Sequence, residues 1–156
     1  MMWKWKKNNN NNNTEENNNV VFHYDIESIK KAVREFADHA PKGVTTRTLV
    51  KDDHSIDFEL LKPYLKGIPD KPFYMSKETY EIFEEKDKII PYYLDMIQFA
   101  VDRYVEMYKK IPITQDDPYK KVSYILLEKS CLIHERPNID FYITEDEYLI
   151  TYKKPR

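Results

Sequence analysis

FYITEDEYLI, residues 141–150, nearly repeats FYMSKETYEI, residues 73–82. The two stretches lie 68 positions apart and agree at the first Phe, the following Tyr, the central Tyr and the final Ile. Agreement at a fixed offset is typical of an internal repeat, in which matched positions occupy the same place in the fold. The matched residues are of the core-forming type, so the repeated stretch is predicted to be architectural before it is anything else.

The match extends in both directions from these stretches. At the same offset, the matching upstream positions are Ile29, Ala32, Val33 and Phe36 with Ile97, Ala100, Val101 and Tyr104. A Leu-Leu pair and a later proline also recur in the same order, once gaps of one residue are allowed. The sequence therefore predicts that residues 20–90 and 91–156 are two copies of one unit, packed together as a single domain.

Each copy begins with a predicted amphipathic helix. Asp25 suits the N-cap of the first helix, and Pro91 suits the first turn of the second. A short helix is expected after a loop in each copy, capped by Asp57 in the first and by Ser123 in the second. Pro63 should restrict the first short helix to a turn or two, because proline cannot continue a helix interior.

The last element of the unit is ambiguous within one copy. Residues 76–83 have the pattern of a serine-capped helix, whereas residues 141–152 are rich in β-forming side chains and predict a hairpin. Because two copies should share one fold, we favour a hairpin in both. Four strands forming a small antiparallel sheet, covered by the long helices, would give an α+β domain with pseudo-twofold symmetry.

Composition favours a folded chain with a balanced charge. Of the 156 residues, 41% are hydrophobic and 14% aromatic, and the formal net charge is −2. That balance argues against a dedicated nucleic-acid binder, which would carry a basic face. The single cysteine, Cys131, cannot form an internal disulfide and is expected to be a small buried hydrophobic residue. No apolar run is long enough for a membrane span, so the cytoplasm is the expected location.

Residues 1–19 form an Asn-rich stretch that is predicted to be a disordered leader. Its tip has two open interpretations: a weak anchor to a membrane surface, or a solvated basic end without a role. The side chains concerned are Trp3, Lys4, Trp5, Lys6 and Lys7. The first interpretation would place the protein at the membrane periphery.

The sequence shows no recognisable catalytic, cofactor or metal motif. With only two glycines, Gly43 and Gly67, it contains neither a P-loop nor a Rossmann fingerprint. The acidic loop around His54 lacks the spacing of an EF-hand, and Cys131 lacks the second cysteine of a structural zinc site. We therefore expect no catalytic residue, no metal and no cofactor, and a protein that is not an enzyme.

Four tyrosines at equivalent positions of the two copies are the candidate binding residues. They are Tyr74, Tyr80, Tyr142 and Tyr148. Aromatic surface with little net charge suits a protein or peptide partner. Packing in the core explains the same tyrosines, and the sequence leaves both explanations open.

Three segments resemble a family of uncharacterised Bacillus-type proteins, some of them YvcA-like lipoproteins. These segments are SKETYEIFEE at 76–85, DPYKKVSY at 117–124 and FYIT at 141–144. The resemblance implies a domain of unknown function and assigns no catalytic residue. The leading hypothesis is a non-enzymatic interaction module. The alternatives are a peripheral membrane protein and an enzyme with an unrecognised site between the copies, around His54.

Overall fold

The computed structural model describes residues 20–156, so the predictions for the leader and its Trp-Lys tip lie outside the described residues. The fold is α+β, as predicted. Among the described residues, two compact units are present. The first contains residues 20–75 and 82–86, and the second contains residues 76–81 and 87–156.

The first unit is built around one amphipathic helix. Its elements are β1 (Val21–Phe22), α1 (Ile26–His39), α2 (Phe58–Leu61), β2 (Ile68–Pro69), β3 (Phe73–Met75) and β4 (Ile82–Glu84). Asp25 caps α1, as predicted, and accepts a hydrogen bond from the Ser28 amide at 2.8 Å. The buried face of α1 packs in a core with Leu49, Leu61 and Met75.

The hairpin predicted for residues 73–83 is confirmed. Strands β3 and β4 pair antiparallel, with Phe73 opposite Glu84 and Met75 opposite Ile82. Ser76 produced the competing helix signal because its hydroxyl does cap backbone amides, those of Glu78 at 3.2 Å and Thr79 at 2.9 Å. The capped segment is a turn between strands, and the chain does not continue into a helix.

The second unit is built around a longer helix. Its elements are α3 (Ile89–Tyr108), α4 (Tyr124–Lys129), β5 (Tyr142–Ile143) and β6 (Ile150–Thr151). Pro91 lies in the first turn of α3 and Ser123 caps α4, both as predicted. The side chains that α3 buries are Ile90, Pro91, Leu94, Ile97, Gln98, Ala100, Val101 and Tyr104. No helix among residues 20–156 combines the length and the apolar composition needed to cross a bilayer.

The predicted four-stranded sheet is wrong. Within the described part of the chain, the strands form three separate two-stranded ladders: β1–β2, which is parallel, and the two hairpins β3–β4 and β5–β6. The outer edge of β3 is occupied by Ser55, which bridges to Tyr74. The outer edge of β5 is occupied in the same way by Lys121, which bridges to Tyr142. The outer edges of β3 and β5 are therefore already hydrogen-bonded by the loop that precedes each hairpin, and these two edges are closed to a further strand.

Backbone geometry recurs around the two hairpins. The amide of Ile56 donates to Phe73 at 2.8 Å, and the amide of Val122 donates to Phe141 at the same distance. Two pairs of non-glycine residues also have a positive φ at matched positions: His54 (69°) with Lys120 (57°), and Tyr80 (60°) with Tyr148 (63°). These correspondences follow the register of the predicted repeat, and the duplication itself stays a prediction.

Cys131 is exposed, so the prediction that it is a buried hydrophobic residue is wrong. It follows the end of α4 with φ of 58°. The Cys131 amide donates to Glu128 at 3.0 Å, and the Leu132 amide donates to Leu127 at 2.9 Å. This is the Schellman arrangement, in which the residue with positive φ is usually glycine. Cys131 therefore occupies a turn position that turns its side chain to solvent.

Replacing Cys131 with glycine is expected to stabilise the protein. Glycine adopts a left-handed conformation freely, whereas other residues lose about 1 kcal/mol there. Since the cysteine side chain is exposed, its removal loses little packing. We expect the free energy of unfolding of Cys131→Gly, measured by urea denaturation, to rise by about 1 kcal/mol. Cys131→Ala is the control, and equal stability of the two variants would contradict the argument.

Candidate functional site

The four candidate tyrosines differ in their exposure to solvent. Tyr80 and Tyr148 are 43% and 50% exposed, Tyr74 is half-buried, and Tyr142 is buried. Tyr142 lies on β5 between the bridge to Lys121 and the pairing with Thr151, so its strand is covered on both edges. Tyr142 is therefore a core residue, and it offers no surface to a partner.

The two exposed tyrosines share an unusual backbone conformation. Each lies in a hairpin loop with a positive φ, which is a genuine outlier for a bulky aromatic residue. Such conformations cost of order 1–3 kcal/mol and persist only where the surrounding structure enforces them. Two contacts from α3 supply that enforcement, one for each loop.

Asp95 of α3 holds the first loop, residues 76–81. Its carboxylate accepts from the Ser76 hydroxyl at 2.5 Å, from the Lys77 amide at 2.8 Å and from the Glu78 amide at 3.1 Å. Ser76 is fully buried, and its hydroxyl in turn accepts from two amides of the same loop. One carboxylate thereby holds the first three residues of the turn, and the Tyr80 amide donates back to the Ser76 carbonyl at 3.1 Å.

Gln98 of α3 holds the second loop, which ends at Ile150. Its side-chain amide donates to the Tyr148 carbonyl at 3.1 Å and to Asp102 at 3.0 Å, and its oxygen accepts from the Ile150 amide at 2.9 Å. The Gln98 side chain is only 2% exposed. A buried amide that uses its oxygen and its nitrogen on one loop fixes the conformation of that loop strongly.

Sequence reasoning missed both anchoring residues. Asp95 and Gln98 are three positions apart, so they project from neighbouring positions on one helix. The available signal was a polar residue next to buried apolar ones: Asp95 follows Leu94, and Gln98 follows Ile97. That signal indicates a buried polar contact, but it does not name the loop that the side chain will hold.

A groove lies beside the second loop and has a volume of about 550 Å³. We call it the Tyr148 groove. Its lining residues are Ile111, Lys120, Ile143, Thr144, Glu145, Glu147 and Tyr148. A smaller depression of about 390 Å³ shares four of these side chains and continues toward Tyr119, whose ring lies under the Lys154 ammonium at 4.4 Å.

Three residues that line the Tyr148 groove have a positive φ: Lys120, Glu147 and Tyr148. The left-handed conformation of each turns its backbone sharply beside the groove. Thr144 uses its hydroxyl within the same turn, donating to the Leu149 carbonyl at 2.7 Å. The groove thus combines one aromatic ring, aliphatic walls and three charged side chains on a backbone that is held in place.

The first unit has a smaller cleft of about 340 Å³. It is lined by His23, Tyr24, Asp25, Lys71, Pro72, Phe73, Glu84, Glu85 and Lys86. Nearby, the His23 ring contacts the Asp70 carboxylate at 3.1 Å in an exposed pair. None of the residues that line this cleft has a positive φ, in contrast to the Tyr148 groove, so the cleft is the weaker candidate.

The acidic loop around His54 is a structural turn. Asp53 accepts from the Ser55 amide at 2.9 Å and from its hydroxyl at 2.5 Å, and these bonds lower the pKa of the Asp53 carboxyl. His54 is buried with φ of 69°. Across residues 20–156, no group of three or more His, Cys, Asp or Glu side chains is arranged to hold a metal ion.

The hydroxyl of Tyr124 is held by a backbone carbonyl. This hydroxyl donates to the Ile139 carbonyl at 2.7 Å. Burial, followed by the nearby Asp140 carboxylate, raises the pKa of Tyr124 well above its usual value. The phenol therefore stays neutral, and Tyr124 serves as a structural donor to the segment that leads into β5.

Comparison with known proteins gives a family without an assigned activity. The family described as "Protein of unknown function (DUF3939)" matches residues 19–152. No curated protein and no solved structure matches the chain. The match supports the resemblance to an uncharacterised family, while the narrower link to YvcA-like proteins stays a prediction. Because the match covers nearly the whole sequence, the chain belongs to the DUF3939 family of proteins of unknown function.

Proposed function

We propose that the protein is a non-enzymatic binding module whose Tyr148 groove holds a peptide segment of a partner protein. The observation that carries the proposal is the clustering of Lys120, Glu147 and Tyr148, all with positive φ, around one groove. Backbone conformations that cost energy collect at functional sites, where the cost is retained because the geometry is needed.

The contacts of Gln98 support a preformed binding surface. A buried amide holds the Tyr148 carbonyl and the Ile150 amide, so the loop is ordered before any partner arrives. Binding to an ordered loop avoids the entropy cost of fixing it during association. Tyrosine is suited to this role because it offers a large contact area with few rotatable bonds.

The lining of the groove favours a peptide over a small apolar ligand. Small-molecule pockets are lined mainly by hydrophobic side chains. Here Lys120, Glu145 and Glu147 supply three of the seven lining side chains. Two carboxylates against one ammonium favour a basic residue in the peptide, and the Tyr148 ring with Ile143 and Ile111 favours an apolar residue beside it.

The proposal is tested by selecting peptides from a random display library on the purified full chain. The test variant is Tyr148→Asn, which removes the ring but keeps a residue that tolerates positive φ. Tyr80→Asn is the matched control, because Tyr80 has the same conformation in the other hairpin loop. We expect enriched peptides to pair a Lys or Arg with an aromatic or aliphatic residue, and Tyr148→Asn to weaken their binding by about tenfold or more.

Two results would overturn the proposal. One is the absence of any peptide enriched on the wild-type chain above the bare support. The other is a set of peptides that bind Tyr148→Asn as tightly as they bind wild type. Binding that weakens as salt is raised would support the role of Glu145 and Glu147, since exposed charges are screened by salt.

A further inference from the structure

The chain turns directly after β6. The Thr151 hydroxyl accepts a hydrogen bond from the Lys153 amide at 3.1 Å, which is the turn that a threonine side chain forms with its own backbone. One residue later, the Lys154 ammonium lies over the Tyr119 ring, 4.4 Å from the ring centroid. We call residues 153–156 the return segment. The turn at Thr151 brings this segment against a loop that lies well before the hairpin in the sequence.

The return segment crosses the second hairpin. β6 lies along one edge of β5, where Thr151 is opposite Tyr142. The loop that contains Tyr119 lies along the other edge of β5, where Lys121 bridges to Tyr142. Neighbouring strands are about 5 Å apart and an extended residue spans about 3.3 Å, so three residues are long enough for this crossing. The chain therefore passes from one edge of the hairpin to the other to bring Lys154 onto the ring.

The Tyr119 ring is a fixed platform for a cation. The Tyr119 amide donates to the Asp117 carboxylate at 2.7 Å, and the Asp117 amide donates to the Thr114 carbonyl at 3.2 Å. The Thr114 amide in turn donates to the Lys121 carbonyl at 2.8 Å, which closes the loop. The negative face of an aromatic ring attracts an ammonium group within about 6 Å of its centroid. An ordered loop thus presents one aromatic face, and Lys154 lies on it.

The return segment borders the surface that continues the Tyr148 groove. Pro155 and Tyr119 both line the depression of about 390 Å³ that shares four side chains with the groove. A peptide that lies in the groove and extends along this depression reaches the Tyr119 ring. In the structure, Lys154 of the same chain already contacts that ring.

The return segment has the same charge as the peptide that the groove favours. It contains three basic side chains, Lys153, Lys154 and Arg156, and no acidic one. The groove contributes the carboxylates of Glu145 and Glu147, and Glu145 also lines the depression beside Pro155. Opposite charges attract both the return segment and a basic peptide to the same surface. The two therefore compete for it.

We propose that the return segment is an autoinhibitory competitor of the Tyr148 groove, in which Lys154 holds the Tyr119 ring until a basic peptide displaces it. The inference rests on the proposed function of the groove. Because the segment belongs to the same chain, its effective concentration is roughly millimolar, so even a weak contact is populated. If the contact is formed in roughly three-quarters of the molecules, it weakens the binding of a competing peptide about fourfold.

Two matched variants of the full chain test the competition. Lys154→Ala and Lys153→Ala each remove one positive charge from the return segment. Only Lys154 lies on a ring that lines the depression, since the Lys153 ammonium lies 5.7 Å from the ring of Tyr152, its own neighbour. The probe is a synthetic peptide with the sequence of residues 151–156, titrated into each isotope-labelled chain and followed by NMR, whose spectra also show that the variants are folded.

We expect the synthetic peptide to bind Lys154→Ala about threefold more tightly than Lys153→Ala or wild type, because the Tyr119 ring is then uncovered. Equal affinity for Lys154→Ala and Lys153→Ala would overturn the proposal, as would the absence of binding to Lys154→Ala. If the peptide behaves as expected while the display library yields no peptide, the assignment of a partner to the groove fails and the competition at Tyr119 stands.

The contact itself is measured without any peptide. The ring current of Tyr119 should shift the ε-methylene protons of Lys154 upfield in the wild type. Tyr119→Leu should abolish that shift and leave the signals of Lys153 in place, because Lys153 lies near a different ring. Absence of the shift in the wild type would overturn the autoinhibitory contact, even where the groove binds peptides selected from the library.

Discussion

Gln98→Met is expected to lower the free energy of unfolding by about 3 kcal/mol. Methionine nearly preserves the volume of the buried side chain, so the variant removes hydrogen bonds without opening a cavity. It leaves the Ile150 amide and the Tyr148 carbonyl without the partner that now satisfies them. A buried donor or acceptor left unsatisfied costs about 1–3 kcal/mol, and here there are two.

Urea denaturation measures this loss, with Gln115→Met as the control because Gln115 is exposed. Hydrogen exchange should show lost protection at the Ile150 amide, because this amide donates its hydrogen bond to the side-chain oxygen of Gln98 in the wild type. The same variant should weaken any peptide selected on the Tyr148 groove, since the loop would no longer be held in its strained form. If Gln98→Met and Gln115→Met unfold at the same urea concentration, Gln98 does not anchor the loop.

Asp95→Ala is expected to lower the free energy of unfolding by about 2–3 kcal/mol. Its carboxylate accepts from the Ser76 hydroxyl and from the Lys77 and Glu78 amides. Hydrogen bonds to a charged acceptor are stronger than those between neutral groups, and all three would be lost together. Asp95 is only half-buried, so water can replace part of the lost hydrogen bonding. The expected loss in free energy of unfolding is therefore moderate.

Asp95→Asn provides the graded comparison. It keeps one acceptor oxygen but places an NH₂ group against a backbone donor, so its stability should fall between wild type and Asp95→Ala. Asp38→Ala on α1 is the control, since Asp38 is exposed. Loss of protection should appear at the amides of Lys77 and Glu78 in hydrogen exchange. If Asp95→Ala lowers the free energy of unfolding no more than Asp38→Ala does, the first loop keeps its conformation without Asp95.

The helix boundaries and caps could be predicted from the sequence because they depend on neighbouring residues. Asp25, Asp57 and Ser123 cap amides two or three positions away, and Pro63 restricts its own turn. The hairpin at residues 73–84 was harder, since Ser76 has the same local chemistry in a turn and at a helix start. The equivalent stretch at residues 141–152 favours the hairpin, because β-forming residues dominate there.

The failed predictions concern relations that local chemistry does not encode. Cys131 looked like a buried hydrophobic residue, yet its left-handed backbone at the end of α4 turns it to solvent. The four-stranded sheet is wrong because each hairpin stays a separate two-stranded ladder, with Ser55 bridged to the outer edge of β3 and Lys121 to that of β5. Which segment hydrogen-bonds to the edge of a strand depends on where a distant loop lies in space, and no short-range sequence pattern predicts that position.

The sequence by itself determined the α+β class, the caps, the two hairpins and the absence of a familiar catalytic motif. These follow from periodicity, from β-forming composition and from capping chemistry, all of which act within a few residues. Only the tertiary structure decided that Tyr142 is buried while Tyr148 borders a groove, and that Gln98 holds a loop 50 residues away. Burial and long-range hydrogen bonding arise when distant segments meet, so they become visible only once the chain has folded.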